Sequence, residues 1–259
     1  DEHLALFQAR AFAAGHLTGQ FPSNMVSYLI PQTFQDHWLI VAEDGRVASI
    51  YWPGFSLILA PFTLIGAPWA CNPLLASLSL VLISKLASRL TSNPRAGGWA
   101  MLFALASPGF LGMALSYYSM TAHLFLNLLF AWLLLLERTR ARLVAAGVVG
   151  SLALTLSNPV PHMLFALPWV VWISRQPGGR RQLIALGAGY APLVLVLGLG
   201  WWLFMRHLQG STGVLPYVAD GDPLHRLVNL LWYLLLELRI VFGFPGADTL
   251  AYRIGEQVR

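Results

Sequence analysis

Residues 117–142 read YYSMTAHLFLNLLFAWLLLLERTRAR, so that 20 residues without an aspartate, glutamate, lysine or arginine are followed at once by one glutamate and three arginines. A helix needs about 20 apolar residues to cross the hydrocarbon part of a bilayer. The whole chain has the same character: of its 259 residues, 57% are hydrophobic and only 10% are charged. A soluble domain has about 25% charged residues. The sequence therefore predicts an all-α, polytopic membrane protein, a helical bundle.

Apolar stretches of similar length recur along the chain. They predict seven spans, at 73–91, 97–115, 117–136, 143–158, 161–174, 183–205 and 227–244. The fourth and fifth are short and are joined by SNPVPH (157–162), in which Pro159 and Pro161 interrupt the helix. A break at membrane depth is tolerated only where it is buried in protein or lines a wet cavity. We therefore expect a polar cavity in the outer half of the bundle.

The distribution of basic residues predicts the orientation. Nine of the 16 lie in or next to three short inter-helix loops: Lys85, Arg89, Arg95, Arg138, Arg140, Arg142, Arg175, Arg180 and Arg181. The positive-inside rule places these loops in the cytoplasm. By alternation, residues 1–72, the turns near 107–117 and 158–162, and the loop 206–226 lie outside. Because topology explains the net charge of +5, we predict no nucleic-acid partner.

Residues 1–72 are predicted to form a first outer loop with two juxtamembrane helices. An apolar stripe made of Leu4, Phe7, Ala11 and Ala14 indicates a helix over about 3–15. The segment 54–66, GFSLILAPFTLIG, is too short to span and is predicted to lie at the interface. Between these helices, EDGR (43–46) predicts a tight turn and PQTFQDHW (31–38) an irregular loop.

The rest of the chain divides into a transmembrane bundle of about six spans (73–205), an outer loop (206–226) and a further span with a truncated tail (227–259). The sequence has neither a starting Met nor a signal peptide. We therefore expect it to begin inside a longer protein, with at least one helix upstream. The single cysteine, Cys71, excludes an intrachain disulfide and a cysteine-based metal site.

Asp1 and Glu2 open the chain on the outer side in this topology. Adjacent helical residues point about 100° apart, so one carboxylate can act on a substrate while the other anchors the loop or binds a cation. A carboxyl group at a wet cavity with an apolar rim can serve as a general base. The alternative is helix capping, since aspartate at a helix start accepts backbone N–H bonds.

Three outer motifs offer further polar candidates. They are Tyr51 in SIYWPGF (49–55), His123 in SYYSMTAH (116–123), and Asn158 and His162 in SNPVPH (157–162). The structural alternatives are an aromatic belt anchor for Tyr51 and a hydrogen-bonded interfacial histidine for His123. The outer arginines are Arg10, Arg46, Arg206 and Arg226. Each can pair with a phosphate or stay solvated. The sequence has no P-loop, nucleophile elbow, HExxH or glycine-rich nucleotide motif, so nucleotide-driven transport has no support.

In this order, the motifs resemble those of the C-type glycosyltransferases, specifically glycosyltransferase family 39, which holds protein O-mannosyltransferases and lipid A aminoarabinose transferases. The resemblance begins with the initial DE and the glycine-ended AFAAGHLTG (11–19). It continues in ASIYWPGFSLILAPFTLIGAPWACNPLL (48–75), similar to a Y-P-P-G stretch followed by L-G-x-P and N-P-L-L, and in ASPGFLGMALSYYSMTAH (106–123). It covers roughly residues 1–205.

The resemblance implies transfer of a sugar from a polyprenyl-phosphate donor to an unknown lipid, glycan or protein acceptor on the outer face. It implies that Asp1 is the general base, with Glu2 beside it. Since leaving-group charge must be met by cations or oriented donors, Arg46, Tyr51 and His123 join Asn158 and His162 as candidate substrate-binding residues. The lipid phosphate is the leaving group, so no cofactor is expected.

The chain departs from the family at three polar positions. His123 stands where several members have an acid, Asn158 where many have a lysine or arginine, and Trp52 where some have a lysine. A metal held by paired carboxylates is therefore less expected, although a divalent cation stays open. We predict an integral protein of the bacterial inner (plasma) membrane with its active site outward. The alternatives are a transporter or lipid flippase and a non-catalytic scaffold.

Overall fold

Helices form most of the computed structural model, which describes residues 2–31, 34–35 and 38–209. In chain order the helices are α1 (Glu2–Ala13), α2 (Val26–Leu29), α3 (Gly54–Leu64), α4 (Cys71–Thr91), α5 (Pro94–Leu105), α6 (Pro108–Ala114), α7 (Met120–Leu135), α8 (Arg140–Leu154), α9 (Val160–Ser174), α10 (Gly179–Leu193) and α11 (Trp201–Gln209). Short 3₁₀ turns precede α2 (Ser23–Met25) and α4 (Pro68–Ala70). The predicted span 227–244 and most of the loop 206–226 lie outside the described residues.

Capping side chains and prolines set several helix starts. The Asn93 side chain accepts the Arg95 N–H at 3.0 Å before Pro94, and Ser107 caps α6 in the same way before Pro108. Proline suits the first helical position because it has no N–H to satisfy there. Pro108 also prevents α5 from continuing, and α5 and α6 meet at a bend of 70°. The predicted span 97–115 is therefore a bent pair of helices and not one continuous helix.

Among the described residues, two helices are long and apolar enough to cross a membrane: Pro68–Thr91 and the continuous run Gly179–Leu208. The bent pair of α5 and α6 would add a third. These helices correspond to the predicted spans 73–91, 183–205 and 97–115. The helix α7 is shorter than its predicted span 117–136, and α8 ends before its predicted span 143–158 does, whereas α9 covers its predicted span 161–174. Residues 117–119 and 155–158 are not helical.

The run Gly179–Leu208 starts earlier and ends later than the predicted span 183–205. Pro192 lies inside α10, and a π-helical stretch, Val194–Gly200, follows it and leads into α11. Proline removes an N–H and clashes with the carbonyl one turn earlier, which a wider turn accommodates. Because α11 ends at Gln209, residue 206 belongs to a helix and not to the predicted outer loop.

A small antiparallel sheet, which the sequence analysis did not predict, interrupts the all-α architecture. Its strands are β1 (Gly19–Gln20), β2 (Leu39–Val41) and β3 (Arg46–Ser49), in the order β1-β3-β2. Val47 pairs with both Gly19 and Val41. The predicted turn at EDGR is confirmed as the end of the β2–β3 hairpin, where the Gly45 N–H donates to Ala42 O at 3.0 Å. Gln32, Thr33, Asp36 and His37, in the predicted irregular loop, lie outside the described residues.

Two clusters of buried apolar residues lie along the bundle, and a smaller one lies beside the sheet. The first joins α1 and α3 to the starts of α4 and α7 and the end of α8, through residues such as Leu6, Phe55 and Leu126. The second joins α7, α8, α9 and α10, through residues such as Phe130, Leu143 and Ile173. The first cluster docks both predicted juxtamembrane helices on one end of the bundle.

The outer surfaces of several helices are apolar as well. Leu78 on α4, Phe103 on α5, Leu167 on α9 and Ile184 on α10 are all exposed. Helices that are hydrophobic on their outward as well as their inward faces are typical of a membrane environment. The part of the chain that the structure describes thus has two or three helices suited to cross a membrane, with apolar residues on their outer surfaces.

Candidate functional site

The motifs that the sequence singled out meet at one end of the bundle. We call this place the junction and define it as residues 51–55, 116–123 and 155–162. Each of these segments leads into a helix, and 155–162 contains the predicted helix break at SNPVPH. Each motif alone has ordinary structural explanations, so the contacts among them carry the information.

The start of α3 binds directly to the end of α8. The N–H of Gly54 donates to Thr155 O at 2.9 Å, and the N–H of Phe55 donates to Leu156 O at 3.1 Å. These bonds satisfy helix-end groups on both sides that otherwise lack partners. A Cβ atom at Gly54 would lie 2.5 Å from Thr155 O, so only glycine permits this approach. The YWPG motif is therefore joined to the break before Pro159.

The segment 116–123 is held from three directions. The Glu2 carboxylate accepts the Tyr117 N–H at 2.7 Å, and the Asn72 side chain donates to Ser116 O at 2.7 Å and Tyr118 O at 2.8 Å. The hydroxyls of Ser119 and Ser157 hydrogen-bond at 2.7 Å. Glu2 thus has an anchoring role, one of the two roles expected for the pair of acids. Asp1 lies outside the described residues.

His123 is nine-tenths buried at the start of α7, and both of its ring nitrogens lack a hydrogen-bond partner among the described residues. Asn72 Oδ1, at the start of α4, is also buried and also lacks a hydrogen-bond partner among the described residues. Buried polar atoms without partners are rare and costly, and they call for an explanation such as a ligand. These atoms can accept and donate hydrogen bonds, which suits hydroxyl or phosphate groups.

Both ring nitrogens of His162 have hydrogen-bond partners in this structure, so neither is available to a substrate. Its Nδ1 lies 2.6 Å from Asn127 Oδ1, and its Nε2 lies 2.6 Å from the Tyr190 hydroxyl. Since the amide oxygen can only accept, Nδ1 donates to Asn127 and Nε2 accepts from Tyr190. Gly150 provides the space, because a side chain there would overlap the Tyr190 hydroxyl. This buried network joins α7, α9 and α10 and lies half-way along α7.

The remaining predicted residues have structural partners. Asn158 Oδ1 accepts the Val160 N–H at 3.0 Å, which caps the start of α9. Tyr51 packs against Trp38, and its carbonyl accepts the Trp201 indole N–H at 3.2 Å. Arg46 pairs with Asp44 at 2.7 Å on the exposed hairpin. The Arg46 backbone N–H and guanidinium lower the pKa of the Asp44 carboxyl.

Sequence reasoning missed Gly54, Asn72, Asn127 and Tyr190, which hold the junction and the His162 network together. A signal existed for two of them. Asn127 is the single amide within an otherwise apolar span, and polar residues within spans are functional candidates by default. Asn72 opens the N-P-L-L stretch. Nothing in the local sequence indicates the partner of either residue, since each pairs across at least 35 positions.

The chain matches no protein-family model, no curated protein and no solved structure. Within the part of the chain that the structure describes, no group of three or more His, Cys, Asp or Glu residues is arranged to hold a metal ion.

Replacing His162 with alanine is expected to destabilise the folded protein by about 2 kcal/mol, because Asn127 and Tyr190 would keep buried polar atoms without partners. Tyr190→Phe is the comparison: it leaves one buried atom, His162 Nε2, without a partner instead of two, and should cost about half as much, about 1 kcal/mol. Thermal unfolding of the purified variants in detergent measures both effects. Equal stability of His162→Ala and the unmodified protein would contradict the network.

Proposed function

We propose that this chain is a membrane glycosyltransferase that moves a sugar from a polyprenyl-phosphate-linked donor to an acceptor on the outer face of the membrane. The observation that carries the proposal is the junction. Glu2 of the DE motif bonds to SYYSMTAH, and SYYSMTAH bonds to Ser157 of SNPVPH. Thr155 and Leu156, the two residues before SNPVPH, bond to Gly54 and Phe55 of YWPGF. The segments that resemble family 39 motifs are thus in mutual contact, as parts of one site would be.

In the proposed reaction, Asp1 removes a proton from the acceptor hydroxyl or amine. The acceptor attacks the anomeric carbon of the sugar from the side opposite the phosphate. The bond between that carbon and the phosphate oxygen breaks, and polyprenyl phosphate leaves with the electron pair. Configuration at the anomeric carbon is inverted. No nucleotide takes part, and we propose no cofactor.

The growing charge on the leaving phosphate needs oriented donors in a site that excludes water. His123 suits this task best among the predicted residues, because it is buried at the junction and its ring nitrogens are unpaired within the described chain. Arg46 suits it less, since Asp44 already holds its guanidinium. The hydroxyls of Ser119 and Ser157 are further candidates for the sugar hydroxyls.

The proposed setting is a polytopic bundle of about seven spans in a bacterial inner membrane, with the junction facing outward. The support is the distance along α9 between the junction and the clustered basic residues. His162 lies near the start of this helix at the junction, and Ser174 ends it beside Arg175 and the neighbouring basic residues. At 1.5 Å per residue, these positions are about 18 Å apart. The positive-inside rule then puts the basic residues in the cytoplasm and the junction outside.

The direct test is transfer itself. The full chain would be reconstituted into liposomes with a radiolabelled polyprenyl-phosphate hexose and a membrane extract as the acceptor source. The proposal expects label to leave the donor lipid for another molecule, together with release of polyprenyl phosphate. A donor that stays intact under all acceptor conditions would contradict it.

A second candidate function is supported by the His162 network. Polar groups buried within membrane helices mark substrate or proton pathways in transporters and flippases. The network of Asn127, His162 and Tyr190 lies away from either end of α7 and of the long helix Gly179–Leu208. A fluorescent-lipid scrambling or flipping assay in the same liposomes distinguishes the two functions. Lipid movement across the bilayer without donor cleavage would favour the transporter.

A further inference from the structure

The end of the bundle opposite the junction has a strong excess of positive charge. The segments 85–95, 137–142 and 174–184 contain all nine clustered basic residues and a single acid, Glu137. Contacts hold these segments together: the Arg138 guanidinium stacks on Trp172 at 3.9 Å and donates to Gln182 Oε1 at 3.2 Å, while Arg89 donates to Leu135 O. We call this region the basic end.

Some of these arginines have structural partners and others have none. Glu137 pairs with Arg142 at 3.8 Å. By contrast, Arg175, Arg180 and Arg181 are exposed and make no hydrogen bond or ion pair through their side chains with another described residue. Three like charges within seven positions repel one another, so an anion bound here would relieve the repulsion.

A shallow cavity of about 360 Å³, open to the surface, lies at the basic end and is lined by Ser174, Arg180, Leu183 and Ile184. Its walls combine one guanidinium, one hydroxyl and two aliphatic side chains. Two hydrogen bonds stabilise the turn beside this cavity: the Gly179 N–H donates to Gln176 O at 2.9 Å, and the Gln182 side chain donates to Pro177 O at 3.4 Å. Leu183 and Ile184 continue into the apolar outer surface of α10.

We propose that this cavity binds the headgroup of an anionic glycerophospholipid of the phosphatidylglycerol class. Arg180 would bind the phosphate, since guanidinium and phosphate form paired hydrogen bonds. The Ser174 hydroxyl donates to Val171 O at 2.7 Å, so it offers a ligand only acceptor lone pairs. These match the glycerol hydroxyl of the headgroup and not the phosphate. Leu183 and Ile184 would contact the glycerol backbone and the first methylene groups.

The same arrangement excludes other ligands. A choline headgroup would bring a quaternary ammonium group toward Arg175, Arg180 and Arg181, which all carry the same charge sign. Free inorganic phosphate would leave the two aliphatic walls without a partner. This inference requires the chain to lie in a bilayer, but it does not require transferase activity, so the two proposals can fail separately.

Native mass spectrometry of the purified full chain, titrated with phosphatidylglycerol or phosphatidylcholine in detergent, tests the proposal. We expect retention of phosphatidylglycerol over phosphatidylcholine, and about tenfold weaker binding in Arg180→Gln. Arg180→Lys keeps the charge that contributes to topology and should give an intermediate loss. The matched control is Arg95→Gln, which removes one charge at the basic end outside the cavity and should change the affinity less than about twofold.

Ser174→Ala separates headgroup recognition from charge. This variant should lose the preference for phosphatidylglycerol over phosphatidic acid, which lacks the glycerol hydroxyl, while Arg180→Gln should weaken both lipids. Equal weakening by Arg180→Gln and Arg95→Gln would overturn the proposal in favour of diffuse charge attraction. Equal retention of phosphatidylcholine, or displacement of the lipid by millimolar inorganic phosphate, would also overturn it.

Discussion

Asp1→Asn is expected to lower the rate of sugar transfer by about a thousandfold and to leave the fold unchanged. A positioned general base contributes about 10²–10⁴ to a rate, and an amide cannot accept the acceptor's proton. The transfer rate from a radiolabelled polyprenyl-phosphate donor, measured in liposomes, provides the comparison. Turnover within about twofold of the unmodified chain would remove Asp1 from the mechanism.

Glu2→Gln is the matched control, because it changes the neighbouring carboxylate in the same way. Glu2 accepts the Tyr117 N–H at 2.7 Å, and a glutamine oxygen can accept the same bond. Because the bond is kept, we expect the transfer rate to fall by less than about tenfold. Some loss is expected because a hydrogen bond to a neutral acceptor is weaker than one to a carboxylate. A larger loss in Glu2→Gln than in Asp1→Asn would reverse the roles of the two acids.

Gly189→Leu is expected to destabilise the folded chain by more than about 3 kcal/mol. This is at or above the usual cost of inserting an oversized side chain into a packed core. Gly189 on α10 packs against Gly147 on α8, and a Cβ at Gly189 would lie 2.9 Å from the Gly147 Cα and overlap the Val144 backbone oxygen. Backbone atoms cannot rotate away as a side chain can. The two helices would have to separate, and small residues are what allow membrane helices to pack so closely.

Gly187 on the same helix provides the control. A Cβ at Gly187 meets no atom within 4 Å, and this residue is exposed. Gly187→Ala should therefore be neutral or stabilising by up to about 1 kcal/mol, because alanine favours helix more than glycine does. Thermal unfolding of both variants in detergent measures the contrast. Similar unfolding temperatures for Gly189→Leu and Gly187→Ala would contradict the close packing of α8 and α10.

Local patterns predicted the features that depend on local physics. The apolar stripe from Leu4 to Ala14 predicted the helix observed at Glu2–Ala13, and the short apolar segment at 54–66 predicted Gly54–Leu64. The proline-containing break at 157–162 is also where α8 and α9 separate. Side-chain periodicity and missing N–H groups act over a few residues, so the sequence exposes them directly.

Features that depend on distant partners were not predictable in this way. The strand β3 forms because Val47 pairs with both Gly19 and Val41, although apolar runs flanking EDGR were a usable hairpin signal. The role of Asn127 requires His162, which is 35 positions away. The end of the predicted span 143–158 was wrong because Thr155 and Leu156 bond to the start of α3 instead of extending α8. Hydropathy cannot distinguish an apolar segment that extends a helix from one that bonds to another segment.

The central claim is that the junction binds a polyprenyl-phosphate sugar, and the most direct measurement is where such a lipid attaches. A polyprenyl-phosphate analogue with a photoactivatable group beside the phosphate would be cross-linked to the full chain in liposomes, and the modified residues would be mapped by mass spectrometry. The account predicts attachment within residues 51–55, 116–123 and 155–162, competed by unlabelled donor. Attachment confined to the basic end, or spread over the lipid-facing surface without competition, would contradict it.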